Sequence, residues 1–129
     1  MRKIGIIVDS CSSLSEKYIL ENDIGVVRFS YDLDELLCIE GLDETDEKYY
    51  SRLKKSSNFP KTSQPSPGEY LEVCKSFLDK YDDILVFPLS SGLSGSYHTA
   101  CLIGEHFENL HIVNTFLALD AIRFVVERA

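Results

Sequence analysis

The succession of two periodicities limits this chain's fold more than any other feature. Residues 4–8 (IGIIV), 82–89 (DDILVFPL) and 110–114 (LHIVN) are short apolar runs rich in branched side chains, and each is followed by a segment with apolar residues at helical spacing. Runs this apolar suit strands covered on both faces. A further strand is predicted from Ile24 (IGVVRFSY), and a short one near residues 36–39. Strands alternating with helices predict an α/β domain with three layers, α/β/α, right-handed crossovers and a mainly parallel sheet of four to five strands.

The helix signals are equally local. Ser13 with Glu16 has capping-box spacing and predicts a short helix to about Leu20. Thr45 precedes DEKYYSRLKK, acidic at its start and basic at its end as the helix dipole favours. Tyr70, Cys74 and Phe77 mark an amphipathic helix to about Lys80, and Leu93, Tyr97, Ala100, Cys101, Gly104 and Phe107 share one face of the next. From Leu117 onward, Ala118, Ala121, Ile122, Val125 and Val126 form an apolar stripe still running at residue 129. Residues 1–129 are therefore expected to be one α/β domain whose last helix needs either the domain's own sheet or a second domain to cover it.

Composition removes several function classes. The 13 basic and 21 acidic residues give net −8, a field that repels nucleic acid and anionic lipid surfaces. Asp9 interrupts the first apolar run too early for a signal peptide, and no run approaches spanning length, so a cytoplasmic protein without membrane insertion is expected. Cys11, Cys38, Cys74 and Cys101 form no C-x-x-C pair and have no histidine at zinc-finger spacing. Neither a metal nor any other cofactor is expected.

Two loops place hydroxyls just before a helix. PKTSQPSPGEY supplies Thr62, Ser63 and Ser66, with Pro67 suited to the first helical position. SSGLSGSY supplies Ser90, Ser91, Ser94 and Ser96, with Gly92 and Gly95 permitting close backbone approach. Such loops at the carboxyl edge of a parallel sheet suit an anion, a carboxylate or a phosphate; serines there also serve as ordinary caps. GLSGS is neither a nucleophile elbow nor a phosphate-binding loop with its lysine. Asp9 fits a base, a metal ligand or a turn-stabilising side chain, whereas His98, His106 and His111 read as surface residues and Tyr49 with Tyr50 as helix packing.

In order, IGIIVDSCSSL, KTSQPSPGEY, YDDILVFPLSSGLSGSYHTA and the IVN strand resemble the DegV family of bacterial fatty-acid-binding proteins. The resemblance implies the N-terminal half of a two-domain lipid-binding carrier that is not itself an enzyme. It implies that a long-chain fatty acid lies between the domains and that its carboxylate is presented to a separate fatty acid kinase making acyl phosphate for phospholipid metabolism. Carried over by motif, Thr62 and Ser94 hold the carboxylate, with Ser63, Ser91 and Gly95 as neighbours in the binding loops and further head-group contacts from the C-terminal domain. Asn114-Thr115 replaces the family's frequent Asp-Ser, and VVRFSY departs from its usual Val-Pro-Leu-like run. The other reading the residues permit is an enzyme acting on a small phosphorylated or carboxylated metabolite through the same anion site.

Overall fold

The computed structural model describes residues 1–129. Four strands, β1 (Ile4–Asp9), β2 (Gly25–Val27), β6 (Asp83–Phe87) and β7 (Leu110–Ile112), form a wholly parallel sheet in the order β2-β1-β6-β7. Side chains alternate across it. Ile7, Ile84 and Val86 face a core made with Tyr70, Cys74 and Phe77 of α3 (Pro67–Leu78) and Ala100 and Ile103 of α4 (Ser96–Gly104). Val8 and Phe87 face the opposite core, closed by Tyr18 and Ile19 of α1 (Glu16–Glu21) and Ile122 and Val126 of α5 (Asp120–Val126). The three layers and the parallel sheet are those the sequence predicts.

A second, antiparallel sheet has the order β4-β3-β5, from β3 (Ser30–Leu33), β4 (Leu36–Ile39) and β5 (Lys61–Ser63). The strand predicted from Ile24 is thus two strands in two sheets. Ser10 joins them: its hydroxyl accepts from Phe29 N–H at 3.0 Å and donates to Glu40. The β3–β4 turn is Asp34-Glu35 with φ of +55° and +64°, the twist that a two-residue hairpin loop requires. Helix α2 (Asp46–Leu53) covers one face of this sheet. Its Arg52 donates to Leu33 O at 2.7 Å, and Tyr49 meets Tyr31 edge to face at 5.0 Å.

Local capping mostly follows the sequence, with three corrections. Thr45 caps α2, and Ser66 with Glu69 forms a complete capping box on α3 behind Pro67. The cap of α1, however, is Ser15, not Ser13. Ser13 ends a 3₁₀ turn over Ser10–Ser12 in the left-handed region (φ +54°), while Leu14 packs into the α1/α5 core, so the helix begins two residues later. Helix α4 starts at Ser96, which leaves Leu93 in the preceding turn with 69% of its surface exposed instead of on the helix's apolar face. Helix α5 starts at Asp120, after Leu119 at φ +52°, and not at Leu117.

Candidate functional site

The chain reverses its direction of travel across the parallel sheet between β1 and β6. From β1 it passes through α1 to β2 on one side, and from β6 through α4 to β7 on the other. Diverging loops at such a point leave a crevice at the carboxyl ends of the strands. A cleft of about 580 Å³ lies there, lined by Cys11 and Ser13 after β1 and by Leu89, Leu93 and Ser94 after β6. The small sheet and α2 close its other side with Ser30, Tyr31, Thr62, Tyr49 and Tyr50, together with Glu40, Glu44 and Asp46.

Thr62 and Ser94, 32 residues apart in sequence, therefore line one cleft. Thr62 is exposed on β5, paired in register with Tyr31 of β3. Ser94 Oγ accepts from Ser96 N–H at 3.1 Å, which leaves its hydroxyl hydrogen to donate outward. Ser63, Ser91 and Gly95 belong to the same loops but do not line the cleft. Ser91 Oγ accepts from the Asn114 side chain at 2.6 Å, fastening the β6 loop to the segment after β7. At Gly95 any Cβ would collide with the Gln64 amide, which donates to Thr99 Oγ1 at 2.9 Å. Glycine at 95 thus leaves room for the Gln64 amide, which clips the Thr62 loop to α4.

Beneath Ser94 lies a buried polar knot centred on Asp9. Its carboxylate accepts from Leu89 N–H at 2.6 Å, Cys11 N–H at 3.1 Å and Ser96 Oγ at 3.1 Å. Because Ser96 gives its proton to Asp9, Tyr70 must donate in the 2.7 Å bond it shares with Ser96. Asp9 is fully buried, and desolvation pushes its pKa up to about 6 even though those three donors favour the charged form. Asp9 is thus a turn-stabilising residue, fixing the loops after β1 and β6 relative to each other, and does not line the cleft. Sequence reasoning left that role open because Leu89 and Ser96 are 80 and 87 residues from it.

The electrostatics of the cleft are one-sided. No lysine, arginine or histidine lines it, while three carboxylates do. Glu44 accepts from Tyr31 at 2.7 Å and from Arg52 at 2.5 Å, which holds its carboxyl below the usual range, Tyr31 contributing most; its Oε2 is buried without a partner. Burial, with the Asp9 and Glu40 charges behind it, pushes the Cys11 thiol up to about 12, so it stays protonated and is a poor nucleophile. His98, His106 and His111 are exposed and away from the cleft, and no cluster of three or more His, Cys, Asp or Glu is placed to hold a metal ion. Tyr49 and Tyr50, expected to serve helix packing, also form part of the cleft wall. No helix is long and apolar enough to cross a membrane.

Comparison with known proteins gives a consistent result. The model of a family described as "Uncharacterised protein, DegV family" matches residues 3–129. A DegV domain-containing protein of Listeria monocytogenes is 32% identical over 112 residues, 86% of this chain and 40% of the relative. One from Staphylococcus aureus is 35% identical over 120 residues, 90% of this chain and 42% of the relative. Among solved structures, a DegV family protein from Thermus thermophilus, described as fatty-acid binding, superposes with a TM-score of 0.90 at 27% identity, covering 99% of this chain and 46% of that one. A stearic acid-binding protein from Eubacterium ventriosum superposes with a TM-score of 0.85 at 28% identity, covering 99% and 46%. The chain thus spans less than half the length of these relatives.

Proposed function

The chain belongs to the DegV family, and from that membership we propose that it binds a long-chain fatty acid and presents the carboxylate to a partner fatty acid kinase for acyl-phosphate formation. The observation that carries this reading is the convergence of Thr62 and Ser94 on one cleft at the reversal point of the sheet. In it, the two hydroxyls donate to the carboxylate, and Ser63, Ser91 and Gly95 shape the loops that hold them. Fatty-acid binding by the Thermus and Eubacterium proteins supports the ligand class. The cleft has no cation among its lining residues, and two neutral donors suit a head group that stays open to a phosphoryl donor.

The energetics divide the work between tail and head. Burying about 14 methylenes contributes on the order of 11 kcal/mol before association costs. A hydrogen bond to a charged head contributes only about 1.5–3 kcal/mol. The tail therefore sets affinity, and the hydroxyls set orientation. In this reading the chain is a carrier, and the chemistry belongs to the kinase.

The test is mass spectrometry of lipid released from the gently purified full-length protein, followed by kinase assays. A long-chain fatty acid is expected. Thr62→Val and Ser94→Ala are expected to reduce acyl-phosphate formation more than lipid retention. Repeated absence of lipid, or equal losses in both assays, would overturn the reading.

A further inference from the structure

The excess negative charge is not spread over the molecule. Residues 32–47 contain eight acids (Asp32, Asp34, Glu35, Glu40, Asp43, Glu44, Asp46 and Glu47) and no base. Subtracting those eight from 21 leaves 13 acids against 13 bases elsewhere, so this segment carries the entire net charge of −8. Only Glu44 of the eight takes part in an ion pair. Charge this concentrated and this little compensated creates a directional field.

The same segment presents apolar surface. Cross-strand partners project from one face of a sheet. Leu33, Cys38 and Tyr31 turn to the face covered by α2, so Leu37 and Ile39, with their partners Asp32 and Ser30, lie on the open face. Leu37 is 66% exposed, and Leu42, just beyond β4, is 61% exposed. Asp43 accepts the Ile39 N–H at 2.6 Å and closes the end of the β4 edge, so recognition there falls to side chains and not to strand addition. Exposed apolar residues with Asp32, Asp34, Glu35 and Asp43 beside them, none in an ion pair, have the make-up of a protein-binding patch with a polar rim.

We propose that the open face of the β3–β4 hairpin, with Leu37 and Ile39 beside Asp32, the turn acids Asp34 and Glu35, and Asp43 at the β4 edge, docks a partner protein through a lysine- and arginine-rich surface. This rests on the carrier reading above, in which the partner is the fatty acid kinase. Position supports it: Ser30 and Tyr31 of β3 and Glu40 and Gly41 after β4 line the cleft, so a protein seated on the hairpin stands at the cleft mouth. A basic partner face also brings the cations that the cleft lacks.

The experiment measures association of the oleate-loaded full-length protein with a fatty acid kinase subunit at low and high ionic strength. For the wild type, association is expected to slow steeply as salt rises. Glu35→Lys combined with Glu47→Lys is expected to slow it about tenfold at low salt and flatten the salt dependence, and Leu37→Ser to speed dissociation. Lipid content and thermal stability of the variants should match the wild type. Unchanged rates in all variants, or a Leu37→Ser protein that loses stability without losing kinase binding because the rest of the chain covers this face, would overturn the docking surface alone. A wild type that binds lipid but no kinase would overturn both this surface and the carrier reading.

Discussion

Asp9 shows how one side chain can decide a site that it does not line. Its carboxylate joins the loops after β1 and β6 through Leu89, Cys11 and Ser96, and Ser96 in turn orients Ser94 through its backbone N–H. With a folded pKa raised from 3.8 to about 6, the folded protein holds this proton more tightly than the unfolded chain. The associated stability is therefore fully present below the unfolded value and is lost as pH rises through about 6. In Asp9→Asn that titration is gone. Measured by denaturant unfolding, the stability of the wild type relative to Asp9→Asn should fall by about 2 kcal/mol from about pH 4 to about pH 7. A difference independent of pH would mean that Asp9 stays charged throughout.

Among the elements, α3 and β5 show what can and cannot be read locally. The capping box of Ser66 and Glu69 behind Pro67 is formed by neighbours, and the sequence displays it complete. Ser66→Ala should cost about 1 kcal/mol in thermal or denaturant unfolding, since an N–H of the first turn loses its acceptor. β5 is the opposite case. KTS carries no alternation and sits between proline-rich segments, and it becomes a strand only because β3, some 30 residues earlier, offers a free edge. The split of IGVVRFSY was hidden for a related reason: both halves are apolar enough to be strands, and only the Ser10 anchor at Phe29 shows where one sheet ends and the next begins. Left-handed residues such as Ser13 and Leu119 moved two helix starts, because nothing in a serine or leucine announces a positive φ imposed by packing.

At the scale of the whole molecule, two sheets meet at a cleft whose walls come from five separate segments. If the ligand is a fatty acid whose tail dominates binding, shortening the acyl chain by two methylenes should weaken binding to the full-length protein roughly fifteenfold, at about 0.8 kcal/mol each. Titration calorimetry or lipid competition would check this, and a flat dependence on chain length would place affinity in the head group instead. The sequence by itself determined the layers, the apolar strands, the caps of α2 and α3 and the family, because each depends on periodicity or on residues a few positions apart. It also named Thr62 and Ser94, through motif resemblance. The clustering of acids in residues 32–47 was likewise legible, whereas that Thr62 and Ser94 share one cleft, that Gln64 ties its loop to α4 beside Gly95, and that Asp9 underlies them were decided by tertiary structure alone. Each depends on parts distant in sequence being brought together, and local propensity carries no record of that.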